Sequence, residues 1–177
     1  SSPHWSTAAG VLRSLVMGEL EERVRRQVQG ATQLHLAFVG ISGGLFDALG
    51  GGVLTAAALA ERAGCDPGYV TRWADAAYAF ELLDLDERGG EPRFCVTELG
   101  AAFASQAVPG LLSAAVMTVF GAHLAERAAS LLRSGERPGE VVLEERPSLV
   151  PLFGPMLEHT FGPVFDTQVL PHVPVLA

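Results

Sequence analysis

The stretch from Gly44 to Phe103 leaves the chain the fewest ways to fold. It reads GLFDALGGGVLTAAALAERAGCDPGYVTRWADAAYAFELLDLDERGGEPRFCVTELGAAF. Leu45 to Leu49 places apolar residues at helical spacing and stops at Gly50, Gly51 and Gly52, whose backbone entropy is too costly to freeze in a helix. Thr55 precedes AAALAERAG, where its hydroxyl can cap the free amides of a second helix. Leu54, Leu59 and Ala63 fall on one face of that helix, and Gly64 supplies a left-handed stop. Asp66-Pro67 opens a third helix, because Asp is a preferred N-cap and Pro at the first position loses no hydrogen bond. Its buried stripe is Val70, Trp73, Ala74, Ala77 and Phe80. LLDLD and RFCVT alternate apolar and polar residues around the turn formers ERGGEP, which predicts a two-stranded wing. Thr97 can cap a closing helix, in which Gly100 is a poor helix former. The order is that of a winged helix.

A winged helix serves either DNA recognition through its third helix or packing and dimerisation. Charge separates the two. Arg72 is the only cation of Pro67 to Leu82, beside Asp75 and Glu81, and the wing sets Asp84, Asp86, Glu87 and Glu91 against Arg88 and Arg93. Affinity for DNA depends on neutralising phosphates, so this surface disfavours it. The net charge of -8 argues the same way for nucleic acids and for anionic membranes. No apolar run is long enough to span a bilayer and the start is no signal peptide, which predicts a cytoplasmic protein.

The flanks read as helices. Residues 1–7 look frayed; from Ala8 to Gln29, Val11, Leu12, Leu15, Val16, Leu20, Val24 and Val28 recur at three- and four-residue steps. Gly30 breaks the pattern, and a second helix runs from Ala31 to Ile41, apolar nearly all round and therefore central. His35 within it reads as a core or interface histidine. Ala101 to Ala107 completes a short helix, and Leu111 to Arg133 reads as one long helix. GERPGEVVLEERPS reads as a surface loop, and prolines 151, 155, 163, 171 and 174 divide the remainder into short helical turns. Hydrophobic residues make up 49% and charged residues 18%, so a partner or another domain is expected to cover apolar surface.

Chemistry-bearing motifs are sparse. Cys65 and Cys95 form no CxxC or Cys/His cluster, which predicts reduced thiols and no metal site. Gly50 to Gly52 lacks the spacing of a nucleotide loop, and Ser42 in GISGG lacks the G-x-S-x-G spacing of a nucleophile turn. The five histidines are scattered, and no catalytic constellation can be named.

GLFDAL, LTAAALAERAGCDPGYVTRWADAAYAFELLDLD and RFCVTELGAAF together resemble the N-terminal winged-helix domain of bacterial S-adenosylmethionine-dependent small-molecule O-methyltransferases. Ala58 stands where that family usually has Glu. HLAERAASLLRSGERPGE and FGPMLEHTFGPVFDTQVL extend the likeness over most of the chain. The family's Rossmann-like domain, with its cofactor loop, is absent from the sequence. The resemblance therefore implies a single N-terminal-like domain over 1–177, with a winged-helix subdomain over 44–103. The fold expected is mainly α, a winged-helix core with a small two-stranded wing and long flanking helices. It implies a homodimer that roofs the substrate cleft of a catalytic domain. It implies no cofactor in this chain, S-adenosylmethionine being expected only where a catalytic domain follows. Substrate-facing candidates are Met117, Phe120, His123, Met156, His159 and Phe161, around a small apolar or aromatic ligand. His159 is the first choice, since a histidine flanked by phenylalanines can orient a phenol or ketone oxygen. The alternatives are a stand-alone ligand-binding protein or cofactor-free enzyme on the same fold, and a winged-helix DNA-binding regulator.

Overall fold

The computed structural model describes residues 4–105, 111–137, 139 and 141–172; the side chains of 4–16, 111, 155, 156, 159 and 160 are not described. The described part is mainly helical. Helix α1 spans His4–Ser42, α2 Leu45–Leu49, α3 Ala56–Ala63, α4 Pro67–Ala79, α5 Glu98–Ala101, α6 Leu111–Leu131, α7 Val141–Glu144 and α8 Val150–Val164. A π-helical turn, Phe165–Val169, and a 3-10 turn, Leu170–His172, follow α8.

The local signals between α2 and α5 act as the residues dictate. Gly50 ends α2 at φ 54°. The Thr55 hydroxyl accepts from the Ala58 amide at 3.2 Å, and Gly64 closes α3 at φ 65°. The Asp66 carboxylate accepts from the Tyr69 amide at 2.9 Å, with Pro67 in the first turn. Helix α4 ends without a glycine: the Leu82 amide donates to the Ala77 carbonyl at 2.8 Å, and Glu81 takes the left-handed position at φ 60°.

The sheet has three strands in the order β1-β3-β2, with β1 Leu54–Thr55, β2 Leu83–Asp86 and β3 Arg93–Val96. The two expected wing strands pair antiparallel from Leu83↔Val96 to Asp86↔Arg93. The third strand was not expected. Leu54 pairs with Phe94 and so lies in β1 rather than on the face of α3; the cap at Thr55 starts the helix one residue later. At the hairpin, the Arg88 amide at 2.9 Å and the Arg93 guanidinium at 3.0 Å donate to Asp86. The Arg88 hydrogen bond, with the two arginine charges, holds its carboxyl below the ordinary carboxylate range.

Phe46, Leu49, Leu59, Val70, Leu82 and Leu83 are each no more than 2% exposed and form the core between α2, α3, α4 and the sheet. Phe46 meets Trp73 edge-on at 5.5 Å and Phe103 at 5.9 Å. The Trp73 indole donates to the Leu36 carbonyl at 2.9 Å, and the Gln33 amide donates to the Phe80 carbonyl at 2.7 Å, so α4 is fastened to α1 at both places. Gly100 lies so close to Leu82 that an added Cβ would meet the Leu82 carbonyl oxygen at 2.0 Å. The residue that counts against a helix in the sequence is therefore required by packing.

Four expectations about the flanks are corrected. Helix α1 is continuous from His4 through Gly30; an isolated glycine costs about 1 kcal/mol relative to alanine, which lowers a helix's stability without ending it. Its 31–41 segment is buried on one face only: Ala37 is fully buried in the core with Leu34, Leu36, Phe38 and Ile41 packed around it, while Val39 is 50% exposed. His35 is exposed, leaving an interface as its remaining reading. Prolines 151, 155 and 163 do not divide α8. Pro151 falls in the first turn, where no donor is needed, and Pro155 orphans only the carbonyl of the exposed Pro151. The helix expected over Ala101 to Ala107 reaches only Ala101, and 106–107 lie outside the described residues.

Candidate functional site

Helix α6 packs on α1 and α8 through a mixed face. Ala115 and Val116 are fully buried, and Phe120 meets Phe153 of α8 edge-on, with centroids 5.3 Å apart. One turn further, His123 is 7% exposed, the one polar residue that is buried among those described. The next turn carries Arg127. These residues share a face because helical neighbours recur three and four apart.

The partner of both polar groups is Glu145, from the segment expected to be a surface loop. The segment keeps its surface position, with 143–148 exposed, but α7 forms within it and Val142 is 3% exposed. Glu145 Oε2 lies 2.9 Å from His123 Nε2 and 3.3 Å from Arg127 Nε. An ionised carboxylate only accepts, so the hydrogen-bonded ring nitrogen, Nε2, carries the hydrogen. In the neutral ring Nδ1 is then an acceptor, and it is buried with no hydrogen-bond partner. Arg127 Nε is close enough for ionic attraction but is not aligned for a hydrogen bond. The site is a carboxylate that orients an imidazole beside an aromatic pair.

Of the six candidates, the structure places Phe120 and His123 successively on the inner face of α6. Met117 is 42% exposed and Phe161 58% exposed. The side chains of Met156 and His159 lie outside the described residues. Sequence reasoning missed Glu145, Arg127 and Phe153 as members of the site. His123 and Arg127, four apart and on the same face as Ala115, Val116 and Phe120, were the available signal: such a pair requires an acceptor. Which glutamate would supply it depended on how the chain returned.

A second feature lies on α1. Met17, Leu20, Val24 and Val28 form a stripe, each side chain about half exposed or more. With Glu21 and Arg25 they line an open recess of about 520 Å³. Helix α8 and the turn after it expose Leu157, Phe161, Val164 and Phe165. Among the described residues, no helix is long and apolar enough to cross a membrane, and no group of three or more His, Cys, Asp or Glu could hold a metal ion.

No protein-family pattern matches the sequence, and no curated protein matches it. Solved structures do match the fold. The mitomycin 7-O-methyltransferase MmcR aligns with a TM-score of 0.58 at 22% identity, over 84% of this chain and 46% of its own. CalO1, a methyltransferase in calicheamicin biosynthesis solved with S-adenosylhomocysteine (SAH) bound, aligns at 0.57 and 21%, over 80% and 44%. NcsB1, an O-methyltransferase from neocarzinostatin biosynthesis solved with S-adenosylmethionine and 2-hydroxy-5-methyl naphthoic acid, aligns at 0.52 and 20%, over 75% and 43%. The chain spans a little under half the length of each. At these identities the likeness is one of fold: this chain has the fold of one portion of the small-molecule O-methyltransferases.

Proposed function

We propose that this chain is the dimerisation and substrate-lid domain of a small-molecule O-methyl transfer system and is not catalytic alone. The observation that carries the reading is the apolar stripe of α1. Residues 17–30 are exposed apart from the half-buried Glu22, in a helix about 58 Å long. An isolated helical arm gains little stability in water, and among the described residues nothing covers its apolar stripe. A second copy bringing its own α1 or α8 stripe would bury both. The fold shared with portions of three methyltransferases supports the lid role, and the 2-hydroxy-5-methyl naphthoic acid bound by NcsB1 supports a hydroxylated aromatic substrate. On this reading S-adenosylmethionine binds a separate domain. Phe120 and His123 would shape the inner wall of the lid, while Met117 and Phe161 would meet the partner surfaces.

Sedimentation equilibrium at micromolar concentration tests the reading. A dimer is expected, and Val24→Asp is expected to return it to a monomer whose α2–α5 core unfolds in urea as in the wild type. A monomeric wild-type chain overturns the dimerisation role. Calorimetric binding of S-adenosylmethionine by this chain alone overturns the assignment of the cofactor to another domain.

A further inference from the structure

We propose that residues 141–149 form a hinged strap, held shut on α6 by the carboxylate of Glu145, whose release uncovers the imidazole of His123. The inference is independent of the methyltransferase reading.

Three observations lead to it. The first is how little holds the segment. Val142 and Leu149 plug into the fold near its two ends, while Val141, Leu143 and residues 144–148 are exposed. Its own backbone bonds, Glu145 amide to Val141 carbonyl and Arg146 amide to Leu143 carbonyl, are local and travel with it as a unit. The second is what crosses between strap and helix. Glu145 reaches both His123 and Arg127, while Arg146 stands 4.0 Å from an exposed Glu126, too far and too wet to add much. Among the described residues the polar closure therefore runs through one side chain. The third is what lies beneath. His123 is more than nine-tenths buried although its Nδ1 has no hydrogen-bond partner. A buried acceptor without a donor carries an unrecovered desolvation cost in the closed state, so opening returns free energy that a satisfied site would not.

Two apolar plugs and one bridging carboxylate hold the strap closed, and the unsatisfied ring nitrogen offsets part of that closure. The opened site would offer an acceptor nitrogen one turn from the Phe120–Phe153 pair, chemistry that suits a hydroxylated aromatic ring.

The test combines amide hydrogen exchange with diethyl pyrocarbonate labelling, both read by peptide mass spectrometry. In the wild type His123 is expected to label far more slowly than His35, which is exposed. Glu145→Ala is expected to speed labelling of His123 and exchange across 141–149 by about tenfold, with His35 and the amides of α3 and α4 unchanged. Glu145→Gln keeps an oxygen that can accept from Nε2 but loses the charge, so it is expected to fall between. An unchanged His123 rate in Glu145→Ala overturns the strap. So does a rise spread evenly over α3 and α4, which would make Glu145 a support of the whole fold. Rapid labelling of His123 in the wild type overturns it as well.

Discussion

The unit from α2 to α5 and the outer helices α1 and α8 are built on opposite terms. Between Leu45 and Phe103 the large apolar side chains are mostly covered, and three helix starts have side-chain caps, from Thr55, Asp66 and Thr97. On the 17–28 stretch of α1 and on α8 the apolar side chains line open faces, and α8 starts at Leu149 with no side-chain cap. The first region caps most of its helices and buries its rings within the chain, its core completed by Ala37 and its neighbours on α1. A region that leaves such groups open is shaped for something beyond the chain. The polar contact between His123 and Glu145 joins the two kinds of region to neither extreme: it is internal, yet incompletely satisfied.

That contrast can be broken by substitution. The largest effect is expected for Phe46→Ala, which removes a ring 2% exposed and packed on Trp73 and Phe103; a loss of about 3–5 kcal/mol is expected in urea unfolding. Gly100→Ala is expected to cost about 1–3 kcal/mol, because its Cβ would meet backbone oxygen rather than a yielding side chain. Should it unfold like the wild type, the closing turn is looser than described. Asp66→Ala removes the cap of α4 and is expected to lower stability by about 1 kcal/mol, seen as a lower midpoint at unchanged slope. Glu81→Gly has the opposite sign. A left-handed position held by glutamate is relieved by glycine, and a gain of roughly 0.5–1 kcal/mol is expected. The smallest effect on folding is expected for Val24→Asp on the open stripe, within about 0.5 kcal/mol when the wild type is diluted to monomer. A loss comparable to that of Phe46→Ala would mean that the stripe is covered within one chain, and the contrast between the two regions would fail.

The site was less legible than the fold. Val70, Trp73, Ala74 and Ala77 are buried as their periodicity requires, because one helix face must meet a core whatever its partner. Phe120 and His123 fall inward for the same reason. Glu145 could not be found that way. It comes from a polar connection with no periodicity, and its role arises from a contact 22 residues away in sequence. Gly100 is the same lesson inverted: local propensity counts against it, and the approach of Leu82 requires it.

What the sequence determined by itself are the features whose physics is local. Caps, left-handed stops, helix faces and the alternation of the hairpin depend on residues a few positions apart, so Thr55, Asp66, Gly64 and the RFCVT strand declare themselves. Only the tertiary structure decided the features whose partners are distant. These are the third strand at Leu54, the continuity of α1 through Gly30, the carboxylate that bridges His123 and Arg127, and which apolar faces stay open. The reason is that burial and pairing are properties of two surfaces, and a single stretch of chain specifies only one of them.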